Sequence, residues 1–399
     1  MKTIIIGAGL TGLYFQSLFK KDKPIILESS SKVGGLCKTI REYPYMWDYS
    51  GHFIHSNIDL FSKLCDIRPF YRKSKIFIKK LDKLIDYPFQ VNTHQLSKTD
   101  KEYCRRTLKN RKIKIVNKNF EDWCLSNYGK GIYNLFMKPY NEKLYKTLCK
   151  NMSLDFTKYI PNISYDDLKK GTYKKLNKNY GYNSKLYYPV RGGIGSICNK
   201  FSNSQIKTNE KVIKINPTKK YITTTKRKYK YNKLVSTMPL PELCKLLGIK
   251  HKLKWVSLKI FMVGSKKRLS SNAHWIYYPD KYDFHRLCLF SNVPGMSVYK
   301  YYSICAEVSY KNKCKVSFDE IEKQLLDSKI ISQIDYKIEK DVPYGYVIFD
   351  KKYDSERARI FKQLEKYNIS SIGRFGEWKY STMSNALNDA IFEKIREDE

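Results

Sequence analysis

The residues near the start of the chain that are best suited to chemistry are three glycines, Gly7, Gly9 and Gly12, which have the spacing G-x-G-x-x-G. Glycines at this spacing allow a tight turn out of a strand, a close approach of a pyrophosphate to the backbone, and close packing of the helix that follows. Glu28 lies sixteen residues after Gly12, where a carboxylate can accept both hydroxyls of a ribose. Together these residues predict a dinucleotide-binding site.

Two strands and a helix must position these residues. Isoleucines at positions 4–6 are typical of a buried parallel strand, and the helix expected after the glycines would turn its free N–H groups towards the phosphates. A second strand, residues 24–27, ends at Glu28. The doublet Gly34-Gly35 follows and predicts a second close approach of backbone to the dinucleotide. This extended pattern resembles the fingerprint of FAD proteins of the amine-oxidase and sugar-nucleotide-mutase group.

Composition limits the functions that the chain could have. It has 399 residues, which is enough for two or three domains, and a formal net charge of +38. The lysines are scattered and no nucleic-acid-binding motif surrounds them, so we expect no specific nucleic-acid partner. The chain shows neither a signal peptide nor an apolar stretch of membrane-spanning length, which predicts a cytoplasmic protein without a membrane partner. The ten cysteines form no C-x-x-C pair and no zinc spacing, so reduced thiols and no metal are expected.

Two segments before residue 100 suggest contacts to a flavin and to a base. Residues 48–52 read D-Y-S-G-H, and a glycine before His52 would let the loop pass close to a flat ring. Residues 87–90 read Y-P-F-Q, in which Phe89 could stack on a base and Gln90 could read its edge. Both segments resemble motifs of UDP-galactopyranose mutases, "D-x-G-G-H" against the flavin and "Y-P-F-Q" in the uridine pocket. The first glycine of that loop is Ser50 here.

The same resemblance continues through the middle of the chain. Residues 136–145, F-M-K-P-Y-N-E-K-L-Y, are similar to the family's "F-x-x-P-Y-N-x-K-V-W", which implies that Asn141 and Tyr145 line the substrate pocket. Residues 188–195, Y-P-V-R-G-G-I-G, are similar to "Y-P-x-R-G-G-T-G". Arginine grips a diphosphate with a planar fork, so Arg191 is predicted to contact the diphosphate or the flavin.

The C-terminal half completes the set of residues that the resemblance implies. Arg286 matches the family's second diphosphate arginine, so that Arg191 and Arg286 are expected to converge on one pyrophosphate. Tyr346 matches a tyrosine that reaches the substrate phosphate. The segment 373–384 resembles "G-R-x-x-x-Y-x-Y-x-D-M-D", with the acids replaced by Thr382 and Ser384. The remaining residues carried over are Tyr380 for substrate, and Arg374, Met383 and the backbone of Val212 for the cofactor.

Alternating apolar residues at 255–263, 275–278, 288–290 and 303–308 predict a mostly antiparallel sheet. The expected fold is therefore α/β, with a Rossmann-like FAD-binding domain of the GR2 flavoprotein type, a helical insert and an antiparallel-sheet substrate domain. We expect the FAD-binding domain to combine residues 1–60, 186–245 and 341–399. Residues 61–185 are expected to be mostly helical, and residues 246–340 to form the sheet domain.

The resemblance implies a flavin-dependent isomerase that interconverts the pyranose and furanose forms of a UDP-sugar, with reduced FAD as the nucleophile. It implies catalytic roles for His52, Arg191 and Arg286, NAD(P)H or another reductant as the electron source, a UDP-sugar as the partner, and a possible homo-oligomer. Two alternatives stay open. One is an FAD-dependent oxidoreductase of the amine-oxidase type, and the other is a non-catalytic basic binding protein with an FAD fold.

Overall fold

The computed structural model describes residues 2–113, 116–155, 157–181 and 184–398, with two main sheets and a helical region. The strands of these residues, β1 to β19 in chain order, are Thr3–Ile6, Ile25–Leu27, Thr39–Glu42, Tyr45–Asp48, Ile67–Tyr71, Ser74–Ile78, Lys83–Asp86, Lys185–Pro189, Ile206–Lys207, Val212–Asn216, Tyr221–Thr224, Lys228–Lys230, Lys233–Ser236, Trp255–Ser265, Trp275–Tyr277, Arg286–Leu289, Tyr302–Tyr310, Tyr336–Val347 and Ile369–Ser371. The α-helices, α1 to α12, are Leu10–Ser17, Ile58–Ser62, Lys98–Lys109, Phe120–Ile132, Lys138–Tyr145, Tyr165–Gly171, Gly195–Asn199, Leu240–Leu247, Phe318–Asp327, Tyr353–Lys366, Gly373–Gly376 and Met383–Asp398.

The first sheet is parallel and is built around β1. Its strand order is β19-β13-β1-β2-β9, so the N-terminal strand β1 and the C-terminal strand β19 both pair with β13. Ile4 and Ile5 have no exposed surface, as expected for a central parallel strand that is covered on both faces. This sheet confirms the predicted Rossmann-like unit and brings the first glycine motif to the carboxyl end of β1.

The second sheet supplies the floor of the candidate site. Its order is β18-β14-β17-β16-β15-β6-β7, with antiparallel pairs throughout except for the parallel pair β15–β6. The strand predictions for residues 255–308 are confirmed, each within a few residues of its expected ends. The mixed α/β architecture with a parallel and an antiparallel sheet is therefore the predicted fold class.

The region expected to be mostly helical begins with strands. β5, β6 and β7 occupy residues 67–86, and β6 and β7 join the second sheet as a hairpin. The reason is local, because Ile76 and Ile85 pair across the hairpin and both are fully buried against the helices. The helices α3 to α6 then follow as expected. The domain limits stay a prediction.

Among the residues that the structure describes, no helix combines the length and the apolar character needed to cross a membrane. The cysteines are free thiols, and Cys65 and Cys314 are only partly buried whereas the other eight are buried.

Candidate active site

The glycine motif forms a tight cradle between β1 and α1. Gly7 has φ +100°, and a Cβ there would stand 2.4 Å from Thr237 Oγ1. A Cβ on Gly12 would stand 2.2 Å from the carbonyl oxygen of Gly7. Gly9 differs, because the nearest heavy atom to its Cβ would be Gly35 Cα at 4.0 Å. Gly7 and Gly12 are therefore required by packing, whereas Gly9 leaves open space at the mouth of the cradle.

Glu28 lies beside this cradle at the end of β2. Its carboxylate accepts hydrogen bonds from the backbone N–H groups of Ala8 and Ser30, both at 2.8 Å. The segment that leads to Val212 runs along the same edge, since the N–H of Glu210 donates to the carbonyl of Glu28 at 2.8 Å. The structure thus brings together Glu28, the glycine cradle and the approach to Val212, and their contacts with ribose and adenine stay a prediction.

The doublet Gly34-Gly35 packs directly on the first glycine loop. The N–H of Gly34 donates to the carbonyl of Ala8 at 2.7 Å, and Gly9 forms a parallel bridge with Gly34. Gly34 and Gly35 have φ values of +110° and +58°, which glycine adopts without strain. The doublet therefore has a structural task of its own in addition to the predicted contact with a cofactor.

A cavity of about 290 Å³ opens between the second sheet, the helical region and the C-terminal segment. Its volume is close to the lower end of the range for small-molecule sites. The predicted site residues that line it are His52, Gln90, Asn141, Tyr145, Arg286, Tyr346, Arg374, Tyr380 and Met383. These residues come from distant parts of the sequence, and the fold brings them to one place.

Arg286 lies in the wall of the cavity as half of an ion pair. Its Nε and Nη2 donate to the two oxygens of Glu307 at 3.0 Å each, and Glu307 has no exposed surface. The hydroxyls of Ser50 and Tyr346 lie 3.0 and 3.2 Å from Nη2. Burial alone would raise the pKa of Glu307, but the Arg286 guanidinium, His285 with its Nε2 3.3 Å from Oε2, and the hydrogen bond from Ser50 hold that pKa far below its usual range. Among the described residues, Nη1 has no partner and is the nitrogen left for a ligand.

Arg374 is the second guanidinium of the cavity. It lies over the rings of Tyr380 and Tyr346, with its central carbon 5.0 and 5.8 Å from their centroids, and its Nη1 donates to the carbonyl of Ser381 at 2.8 Å. Its Nε is buried without a hydrogen-bond partner among the described residues. Since Glu307 balances Arg286, and no acid occurs among the described residues that line the cavity, Arg374 gives the cavity a net positive charge.

His52 is partly buried and faces both arginines. Desolvation, followed by the charge of Arg374, lowers its pKa to about 4, so the ring is neutral at neutral pH. Ser50, which replaces a glycine of the mutase motif, has φ +72°. A serine in this region is strained, but its hydroxyl donates to Glu307 at 2.6 Å, which supports the ion pair.

The predicted base contacts divide into one residue in the cavity and one behind it. Phe89 is fully buried and stacks on Phe136, with ring centroids 5.2 Å apart, so it supports the wall without lining the cavity. Gln90 does line the cavity and is 2% exposed. Its Nε2 donates to Met137 Sδ at 3.4 Å, and its Oε1 has no partner among the described residues. Because an unpaired buried amide oxygen is costly, Gln90 is poised to accept a hydrogen bond from a ligand.

The structure does not bring Arg191 and Arg286 to one cavity, and their convergence on a pyrophosphate stays a prediction. Arg191 is exposed and does not line the cavity. The two glycines after it have φ values of +89° and +69°, and a Cβ on Gly193 would stand 2.3 Å from Thr39 Oγ1. The glycine turn is therefore pressed against the β3–β4 hairpin. The pair of arginines that the cavity does contain is Arg286 with Arg374.

Thr382 and Ser384, which replace the acids of the family motif, stabilise the start of α12. The Thr382 hydroxyl donates to Asn385 Oδ1 at 2.8 Å and accepts from the N–H of Asn385 at 3.2 Å. The Ser384 hydroxyl donates to the carbonyl of Ser56 at 2.8 Å. Both hydroxyls thus fix the backbone that presents Ser381 and Met383 to the cavity.

Asp48, two residues before Ser50, should make stability depend on pH. It is fully buried, and desolvation raises its pKa to about 7 despite hydrogen bonds from Thr39, Tyr188 and Ile194. Between about pH 4 and pH 7 the folded protein holds a proton that the unfolded chain has lost, so this group makes stability fall as the pH rises, by up to about 1.4 kcal/mol per pH unit. In guanidinium titrations across this range, Asp48→Asn should have a flatter pH profile than the parent protein. Parallel profiles would show that Asp48 does not change protonation there.

Lys143 connects the helical region to the second sheet through hydrogen bonds. Its ammonium donates to the carbonyls of Tyr278 at 2.9 Å and Asp280 at 3.1 Å, and also to that of Tyr282. Lys143→Met should therefore lower the free energy of unfolding by about 2 kcal/mol, since these carbonyls lose a charged donor. Lys138→Met, at an exposed position of the same helix, is the matched control. An equal change of the free energy of unfolding in the two variants, measured by denaturant unfolding, would show that Lys143 does not connect the helical region to the second sheet.

Sequence reasoning missed Glu307 and the aromatic residues Tyr87, Tyr140 and Tyr277. The three tyrosines line the cavity, and Tyr277 packs on both of the others, with ring centroids 5.1 and 5.2 Å apart. Glu307 had a detectable signal, because it is the only acid in the otherwise apolar and hydroxyl-bearing strand β17. A lone acid in such a strand indicates a buried ion pair.

Comparisons with known proteins agree with this architecture. A family model described as an NAD(P)-binding Rossmann-like domain matches residues 5–66. Among solved structures, a reduced UDP-galactopyranose mutase matches with a TM-score of 0.90 and 23% identity over 98% of this chain and 94% of that one. A candidate protoporphyrinogen oxidase from Exiguobacterium sp. 255-15 gives a TM-score of 0.76 and 14% identity over 100% and 99%. Cyclohexylamine oxidase from Brevibacterium oxydans IH-35A gives 0.67 and 12% over 99% of each chain.

At these identities the likenesses establish the fold. The whole chain, and not only its dinucleotide-binding part, superimposes on the mutase structure. The chain therefore has the mixed α/β fold of UDP-galactopyranose mutase, built on a Rossmann-like dinucleotide-binding domain.

Proposed function

We propose that the protein is a flavin-dependent mutase that interconverts the pyranose and furanose forms of a UDP-sugar. The observation that carries this proposal is the lining of the cavity, which combines one group formed by Gln90, Asn141 and Tyr145 with a second group formed by Arg286, Arg374 and Tyr346. The first group suits a nucleoside, and the second suits the phosphates attached to it. The full-length likeness to a mutase structure supports the same reading.

The residues present fit FAD. Gly9 is open at the mouth of a cradle in which Gly7 and Gly12 tolerate no side chain, so a pyrophosphate has space there. Glu28 keeps both carboxylate oxygens beside that mouth, each already fixed by a backbone N–H. Gly7, Gly9, Gly12, Glu28, Gly34, Gly35 and Val212 would hold the dinucleotide, and Arg374 and Met383 would lie towards the ring. Reduced FAD would supply the nucleophile for the anomeric carbon, and the chain's own residues would bind and orient the substrate around it.

The protein side chains have distinct tasks in this proposal. Arg286 Nη1 and Arg374 Nε are donors without partners among the described residues, and they would hold the diphosphate as it leaves and returns. The Tyr346 hydroxyl lies 3.2 Å from Arg286 Nη2 and would donate to the same phosphates. Neutral His52 would shape the wall and would not act as an acid at neutral pH. No side-chain acid–base pair is required, since the diphosphate is itself a good leaving group.

The test is an assay of the reduced protein against a panel of UDP-sugars, with the isomers separated. We expect one UDP-hexose to be converted between its ring forms, and free hexoses to be inert because they lack the diphosphate. If no UDP-sugar in the panel is isomerised by flavin-loaded, reduced protein, the proposal is wrong.

An amine-oxidase-type reaction is the second candidate. The observation in its favour is that Glu307 already neutralises the charge of Arg286. The cavity therefore offers one uncompensated guanidinium, that of Arg374, whereas a diphosphate would pair with two. Against it, no acid occurs among the described residues lining the cavity, so a cationic amine would meet no opposite charge. Release of peroxide on addition of an amine would favour this reaction over isomerisation.

A further inference from the structure

A second cleft, of about 270 Å³, adjoins the main cavity. The two share Tyr87 and otherwise have different linings. The cleft lies between the β6–β7 hairpin and the segment that approaches β8. Its cationic lining residues are Arg72, Lys73, Lys75, Lys175 and Lys178, and Asp86 is the one acid in its lining among the described residues.

The ion pairs of the cleft leave two of its lysines uncompensated. Lys75 pairs with Asp86 at 2.6 Å, and Lys178 pairs with Asp167 at 2.8 Å. Lys73 and Lys175 form no ion pair among the described residues, although the charge of Lys175 helps to lower the pKa of Asp86. The cleft therefore carries an excess of positive charge that its own acids do not balance, and it is built to receive an anion.

Two further groups point to a ligand in this cleft. Ser74 lines it and is 7% exposed, yet its hydroxyl has no hydrogen-bond partner among the described residues. Buried hydroxyls are normally paired, so a ligand atom would satisfy it. Arg72 is held in place at the boundary of the two cavities, with its guanidinium 4.6 Å from the Tyr87 ring centroid and its Nη2 donating to the carbonyl of Tyr180 at 3.0 Å.

We propose that this cleft binds a small phosphorylated molecule, whose phosphate is held by Lys73 and Lys175 and accepts a hydrogen bond from Ser74. A phosphate fits better than a carboxylate, because a dianion matches two uncompensated ammonium groups and offers an additional acceptor oxygen for the hydroxyl. The restricted volume selects a small molecule. The site is separate from the flavin and sugar site, and it does not depend on the function proposed above.

The test uses inorganic phosphate as the probe, with calorimetric titration near physiological ionic strength so that diffuse attraction to a basic protein is screened. The parent protein should bind phosphate saturably at one site. The double variant Lys73→Ala with Lys175→Ala should bind at least about tenfold more weakly, since two charge-assisted hydrogen bonds are removed. The control pair, Lys83→Ala with Lys174→Ala, changes exposed lysines of the same two segments that do not line the cleft, and it should bind within about twofold of the parent.

Three results would overturn the proposal. These are the absence of saturable phosphate binding, an equal loss in the control pair, and unchanged affinity in the cleft variant, which would place the phosphate at the arginines of the main cavity. Ser74→Ala gives an independent check, because removal of an unpaired hydroxyl should weaken phosphate binding several-fold without lowering the free energy of unfolding. A loss of stability together with affinity would show that the hydroxyl serves the fold.

Discussion

Arg286→Ala will lower the free energy of unfolding by about 3–5 kcal/mol, because it leaves the fully buried carboxylate of Glu307 without its cation. It will also weaken UDP binding by about tenfold to a hundredfold through the loss of a charged donor, whereas FAD binding changes much less. Denaturant unfolding measures the first effect, and titrations with UDP and with FAD measure the second.

The double variant Arg286→Ala with Glu307→Gln separates the two effects. Removal of the charge of Glu307 should restore most of the lost stability, because no unpaired buried charge remains. UDP binding should stay weak, since the donor is still missing. Equal losses of UDP and FAD affinity in this stable variant would show that Arg286 does not contact the substrate.

Gly9→Ala will fold normally and will not retain FAD. Apart from its two chain neighbours, no described residue places a heavy atom closer than 4.0 Å to the added Cβ, so the free energy of unfolding should change by less than about 1 kcal/mol. The methyl group would occupy the open space that a pyrophosphate needs, and we expect at least a tenfold fall in FAD affinity, measured by absorbance of the purified protein and by titration of the apoprotein.

Gly12→Ala is the matched control for that experiment. Its Cβ would stand 2.2 Å from the Gly7 carbonyl oxygen, so the variant should lose stability as well as FAD. If Gly9→Ala purifies with a full complement of FAD, the assignment of this cradle to the pyrophosphate is contradicted.

Much of the fold was predictable because its signals are local. Gly7 and Gly12 have close contacts that exclude a Cβ, and the contact between Gly12 and the carbonyl oxygen of Gly7 lies within one strand-turn-helix unit. The central strands of the second sheet are marked by closely spaced apolar residues, which in β14 and β17 are buried on both faces. Both features can be read without knowledge of the rest of the chain.

The structure differs from expectation at residues whose position depends on distant segments. Arg191 follows a sequence pattern for anion binding, but the turn after it is pressed against Thr39, and the arginine stays exposed. Arg286 could be placed in the cavity, whereas its neutralisation by Glu307 requires the register of β16 on β17. The hairpin of residues 74–86 lies in a region that was expected to be mostly helical, and its place in the second sheet depends on the long-range pairing of β6 with β15.

The central claim is most directly tested by measuring isomerisation and electron consumption in the same anaerobic reaction. Protein loaded with FAD and reduced with dithionite should convert UDP-galactofuranose, or another UDP-hexofuranose, to its pyranose form over many turnovers without consuming further reductant. The oxidised protein should not. If each product formed consumes a reducing equivalent, or if the oxidised protein turns over an amine with release of peroxide while the reduced protein leaves every UDP-sugar unchanged, the mutase account is contradicted.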